Sequence, residues 1–236
     1  MNAITELILL TSIAGGAIPL GALIASIEHI QPKWLESEVR HTIIAFGGGA
    51  LLAAVAFVLI PRGTDQISTP ESVLAFALGG FTFWGLQLLL DRSASHASQL
   101  AAMMSDFIPE VIALGATIAL GEGGTILLAA IITLQNVPEG FNAFRELQQG
   151  GLRSRTILKY FAAAACFGPI LGAGGYVFLA GQPHLLGWMQ VFAAAGILYL
   201  VFEDVAPQAR LRSSSFPPLG AVLGFLLGLL GYLLEG

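Results

Sequence analysis

The sequence predicts an all-α fold, a polytopic membrane protein of eight transmembrane helices in a compact bundle, and three observations carry that expectation. Of 236 residues, 56% are hydrophobic and only 11% are charged, against about 25% charged in soluble domains, and the mean hydropathy is +0.80. Apolar runs long enough to cross a bilayer, about 20 residues each, follow one another along the chain. The 29 glycines recur with Ala and Ser inside those runs, as in Gly47-Gly48-Gly49-Ala50, Gly79-Gly80 and Gly172-Ala173-Gly174-Gly175, and small residues let membrane helices approach closely. Eight crossings with short loops leave almost nothing for a soluble domain, so residues 1–236 read as one transmembrane domain.

Taken in order, the runs fall near 3–30, 39–60, 70–91, 98–120, 123–147, 156–180, 186–208 and 216–234, bounded by charge or by Pro and Gly. The first begins MNAITELILLTSIAGG and lacks the basic start and small-residue cleavage site of a secretory signal, so it reads as a retained membrane helix. Runs four and five are separated only by Gly121-Glu122-Gly123-Gly124, which predicts a tight hairpin. Lys33, Arg40, Arg92, Arg145, Arg153, Arg155, Lys159, Arg210 and Arg212 fall on odd-numbered connections, and only Arg62 falls on an even one. Positive residues mark the cytoplasmic side, so an even helix count places both termini outside.

Several functions are excluded. The single cysteine, Cys166, forms no intrachain disulfide or cysteine-based zinc cluster, and in its apolar run it is expected as a small buried hydrophobe. A net charge of −5 without a basic patch argues against a nucleic-acid partner. No phosphate-loop motif or His-Glu-x-x-His appears, so neither ATP-driven machinery nor an enzyme is expected.

The chemistry lies in polar groups at mid-helix depth, where charge is costly and marks a functional site. In run four, Asp106 and Glu110 stand i, i+4 around Pro109, placing two carboxylates on one helix face. Two such anions repel, so a cation or protons must resolve the conflict, and a divalent ion bound by carboxylate oxygens is the simplest candidate. Run five repeats the pattern in Gln135-Asn136-Val137-Pro138-Glu139-Gly140. The two motifs stand at equal distances from the hairpin, so they are expected to meet at one depth. Pro109 and Pro138 leave the carbonyls of Ser105 and Leu134 without their usual helical donors. In run seven, Glu203 and Asp204 precede Pro207 and are expected on an exit pathway toward the cytoplasm. Glu28, His29 and His41 read as interfacial, and His96 and His184 as loop residues.

These motifs resemble the ZIP (Zrt/Irt-like) divalent metal transporters, the bacterial branch in particular, a family with eight helices and both termini outside. The Gln135 to Gly140 segment is similar to the family's His-Asn-x-Pro-Glu-Gly motif, and Asp106 to Glu110 looks like a diverged copy upstream. Gly80-Phe81 through Leu90-Asp91-Arg92, and Glu203 through Pro207, add to the likeness, which covers nearly the whole chain. By position, the resemblance implies a metal site of Asp106, Glu110, Gln135, Asn136 and Glu139, with Glu110 and Glu139 as principal ligands. It departs from the family where Asp106 replaces the usual His, Phe107 replaces the usual Asn, and Gly168 replaces a helix-six Glu. The site is then harder and oxygen-rich, and one ion replaces two. The short connection before run four carries only His96, where many relatives have a long His-rich loop.

The expected function is secondary transport of a divalent metal cation toward the cytoplasm by alternating access. Zinc is the family default, with manganese, iron or cadmium as further cargo and no prosthetic cofactor. The bilayer of a cell membrane, a bacterial inner membrane by the resemblance, is the expected setting, with a homodimer as the family's assembly. The alternative is a ZIP-like membrane protein that binds metal, or serves a structural role, without transport.

Overall fold

A computed structural model describes residues 2–27, 33–93, 96–121, 124–179, 181–209 and 216–235; within these, the side chains of 33–37, 90–93, 96–102, 105, 106, 204, 208 and 235 lie outside the described set. Among the described residues the chain is helical throughout, without strands. We number its long helical segments α1 (Ala3–Ile27), α2 (Lys33–Ala54, continuing through Val55–Leu59 into Ile60–Gln66) and α3 (Thr69–Ser93). Next come α4 (His96–Leu120), α5 (Thr125–Gln149) and α6 (Ser154–Leu179). The last are α7 (Pro183–Leu200, continuing through Val201–Val205 into Ala206–Ala209) and α8 (Phe216–Glu235).

Among the described residues, six of these are long and apolar enough to cross a bilayer. The other two are α4 and α5, which carry the polar motifs; among the described residues of α4, Phe107–Leu120 is a shorter apolar stretch that includes Glu110. The outer surface carries large apolar side chains, among them Ile8, Leu20, Phe81, Trp84, Val177, Phe178 and Leu223, as membrane-facing helices require.

Most helix ends lie within three residues of expectation, but α2 is longer at both ends. It runs on past Pro61 because Val55–Leu59 is a π turn in which the Ile60 N–H donates to the Val55 carbonyl. The wider turn accommodates a proline that would otherwise close the helix. α7 does the same, with a π turn over Val201–Val205 and the Ala206 N–H on the Val201 carbonyl, immediately before Pro207. The two π turns share an apolar cluster, in which Val55 and Leu59 meet Ala194, Ile197 and Val201.

Other expectations are corrected. Cys166 is exposed rather than buried; its thiol donates to the Ala162 carbonyl at 3.4 Å, on the outer face of α6. His184 lies in the first turn of α7, not in a loop, and its Nε2 is 2.8 Å from Glu71 Oε1. His96 begins α4. Glu28, His29, Glu122, Arg210 and Arg212 lie outside the described residues, and the hairpin is seen only at its flanks, where Gly121 and Gly124 have φ of 66° and 83°.

In the bundle, α2, α5, α4 and α7 touch in succession around a closed ring; α1 packs against α4, α5 and α6, while α3 lies on α7 and α8 on α2. Tight approach sets the α1–α5 pair: a Cβ on Gly21 would overlap the Val137 carbonyl, and one on Gly140 the Ile18 carbonyl. At the same end of both helices, Thr125 donates its hydroxyl to Glu6 at 2.9 Å. Ser68 caps α3, its N–H and hydroxyl donating to Glu71 at 2.9 and 2.6 Å, the Glu half of a capping box. The Glu71–His184 contact then ties the starts of α3 and α7.

Candidate metal centre

Glu110 lies on α4 and is 3% exposed; Gln135 lies on α5 and is 1% exposed. The Gln135 amide nitrogen donates to the Glu110 carboxylate, 2.6 Å from each oxygen. The two polar motifs therefore meet across the α4–α5 pair. Their equal distance from the hairpin brings them to one depth in an antiparallel pair.

The amide that neutralises none of the carboxylate's charge still satisfies its hydrogen bonding, and it leaves its own oxygen unused. Gln135 Oε1 and Asn136 Oδ1 are buried and have no hydrogen-bond partner. An amide oxygen left so in apolar surroundings costs about 1–3 kcal/mol by mutational measure, and a cation is an effective way to recover it. Asn136 faces a different neighbour from Gln135: its Nδ2 donates to the Ala14 carbonyl at 2.9 Å, so this residue also locks α5 to α1. Glu139, one turn beyond Gln135 on the same face, is half-buried.

Not every expected residue is brought into this cluster. The backbones of Asp106 and Asp204 lie in α4 and in the α7 π turn, but their side chains lie outside the described residues. Glu203 is exposed on that π turn. Among the described residues, no three His, Cys, Asp or Glu side chains gather into a metal-holding group. The described donors that meet are thus one carboxylate and one amide, Glu110 and Gln135, with the buried Asn136 amide on the next residue of α5, all oxygen.

Two residues flagged as departures prove to be neighbours. Phe107 is fully buried, and its ring tip lies 3.4 Å from where a Cβ on Gly168 would stand and 3.3 Å from one on Gly15. The ring fills the space where a longer residue 168 would project. A Cβ on Gly168 would also come 2.5 Å from the Thr11 carbonyl oxygen, so α6 rests directly on the α1 backbone here.

One buried polar residue escaped sequence reasoning. Gln190, in α7, is 1% exposed, and both its amide nitrogen and its oxygen lack a hydrogen-bond partner. Buried threonines nearby in sequence type behave otherwise: Thr11 and Thr117 donate to carbonyls one turn back, at 2.6 and 2.8 Å. A single Gln in an apolar run has no spacing pattern to announce it; its only signal was polarity at that depth.

The chain is similar to zinc transporters. It is 30% identical to human zinc transporter SLC39A7 over 151 residues, which is 60% of this chain and 32% of that protein. With the Pongo abelii zinc transporter SLC39A7 it shares 31% over 149 residues, 59% of this chain and 31% of the relative. The rat protein of the same name gives 30% over 148 residues, 58% and 31%. The chain spans about a third of the length of these curated relatives. No protein-family model matches it.

Proposed function

We propose that this chain is a ZIP-type secondary transporter, not an enzyme, that carries a divalent metal cation across a cell membrane toward the cytoplasm by alternating access. The observation that carries the proposal is the Glu110–Gln135 contact between two mid-helix motifs, with buried amide oxygens beside it. Zinc is the cargo favoured by the named relatives. The oxygen-only donor set accommodates manganese, iron or cadmium as well. One ion is held centrally by Glu110 and Glu139, assisted by Asp106, Gln135 and Asn136, and Glu203 and Asp204 receive it on the way out.

In this reading all eight long helices cross the bilayer, residues 1–236 act as one domain, and both termini face outside. The apolar outer surface meets lipid, in a bacterial inner membrane by the motif resemblance, and two copies pair as a homodimer.

Purified protein in proteoliposomes tests this directly. Uptake of Zn2+, Mn2+, Fe2+ and Cd2+ is measured for wild type and for Glu139→Ala and Glu110→Ala. We expect uptake of at least one metal, and a loss of about 100-fold in either variant, as for removal of a principal charged ligand. Unchanged uptake in both variants would remove the central assignment. A second reading, metal binding without transport, is favoured by one observation: the buried Phe107 ring, where relatives have a polar residue by the motif resemblance, packs against Gly15 of α1 and Gly168 of α6. Intact metal binding with no flux of any of the four ions would select it.

A further inference from the structure

We propose that Gln190 is a further cation-binding residue, an amide from α7 that takes the divalent ion on the outer side of Glu110. The inference rests on the reading of the central site given above.

Placement is the first argument. Leu186 and Met189, one turn and one residue before Gln190, share a cluster with Ile112, Ala116 and Leu120 of α4. Ala194 and Ile197, one and two turns after it, share a cluster with Leu51, Val55 and Leu59 of α2. Gln190 thus stands on the face of α7 between its α2-facing and α4-facing sides. Phe192, by contrast, meets Phe83 of α3 with ring centroids 6.2 Å apart, so α3 covers the opposite face. Because α2, α5, α4 and α7 close a ring, the face of α7 between α2 and α4 is the one turned to the ring's interior. Glu110 and Gln135 meet between α4 and α5 of that same ring.

Depth is the second. α4 and α7 run antiparallel, and one cluster joins Ile112, Ala116 and Leu120 of α4 to Leu186 and Met189 of α7. Gln190, one residue past Met189, therefore stands toward the Ile112 end of that α4 stretch, the end nearer Glu110. It lies on the side of the Gly121 turn and of Gly181, the outer side in the proposed orientation. Beyond it toward that end Val58, Leu114, Ile118, Leu128 and Ile132 form one apolar cluster, and the hydroxyl of buried Thr117 is taken up by the Ala113 carbonyl. Gln190 is the polar group met between that plug and the carboxylate.

Chemistry is the third. Three buried amides, of Gln190, Gln135 and Asn136, each have an oxygen without a hydrogen-bond partner, and for Gln190 the nitrogen is unsatisfied too. Buried polar groups are paired in the great majority of cases, and polar residues inside membrane helices mark ion pathways. The Gln190 oxygen gives a neutral, hard ligand to an ion stripped of part of its water, and the nitrogen gives a donor to a water that stays on it.

The experiment compares wild type, Gln190→Leu and Gln190→Glu in two assays, equilibrium Zn2+ binding in detergent and Zn2+ uptake into proteoliposomes. Leucine keeps the bulk and removes both amide groups; glutamate keeps an oxygen. We expect Gln190→Leu to weaken binding and to raise the KM for uptake about ten-fold, as for one lost neutral ligand. Its thermal midpoint should equal or exceed that of wild type, since an unsatisfied amide is gone, which separates the effect from misfolding. Gln190→Glu should bind at least as tightly as wild type. Unchanged binding in Gln190→Leu would overturn the inference. If wild type binds Zn2+ but carries none, transport fails while the binding comparison still decides the role of Gln190; if wild type does not bind Zn2+ at all, both fall.

Discussion

At the Glu110 carboxylate both oxygens lean on one amide nitrogen, that of Gln135. Gln135→Leu removes that donor and leaves a buried carboxylate short of a partner, at a cost of about 1–3 kcal/mol. The same residue assists the ion, so Zn2+ should stabilise the variant less than wild type. Thermal unfolding in detergent, with and without Zn2+, checks this: the variant should unfold earlier without metal, and the gap from wild type should widen with it. A gap that does not change with metal would separate Gln135 from ion binding. This pairing was legible in the sequence, because i, i+4 spacing and equal distance from a hairpin fix face and depth together. Gln190 was not, since a solitary amide has no periodicity and its exposure depends on which helices α7 touches. Nor could the sequence relate Phe107 to Gly168: they are 61 positions apart, and only the packing of α4 on α6 brings the ring to the glycine.

Between elements, glycine decides contact distance, and two glycines make opposite predictions. A Cβ on Gly140 would overlap the Ile18 carbonyl, whereas one on Gly16 meets nothing within 4 Å. Gly140→Ala should therefore force α5 off α1 and cost about 1–3 kcal/mol, as overpacking does. Gly16→Ala should instead gain up to about 1 kcal/mol from reduced backbone freedom in the helix. Thermal midpoints of the two variants in one detergent test this, and a shift of the same sign in both would refute the close-packing account. The helices themselves were legible from apolar run length, with ends misjudged where a local rule was overridden. Proline normally ends a helix, which set the expected end of α2 at residue 60. The π turn at Val55–Leu59 supplies the Ile60 bond and lets the helix continue to Gln66. The same arrangement precedes Pro207, so a proline inside an apolar run signals a widened turn as readily as a stop.

For the whole molecule, the orientation proposed from charge has one decisive segment. The connection from α5 to α6 and its flanks carry Arg145, Arg153, Arg155 and Lys159, while residues 180–182 between α6 and α7 carry no charge. α6 itself has 26 residues, roughly 39 Å at 1.5 Å per residue, enough to cross the hydrocarbon core. The positive end should stay in the cytoplasm. Cysteines placed at exposed sites on either end, Gln149→Cys and Gly181→Cys, report this when Cys166, itself exposed on α6, is first replaced by serine. In intact cells a membrane-impermeant maleimide should label Gly181→Cys and should reach Gln149→Cys only after permeabilisation. The reverse pattern would invert the molecule and turn the proposed direction of transport with it, because Gln190 and the apolar plug would then lie on the cytoplasmic side of Glu110. Labelling of both sites in intact cells would mean that α6 does not cross, and the eight-helix count with both termini outside would have to be abandoned.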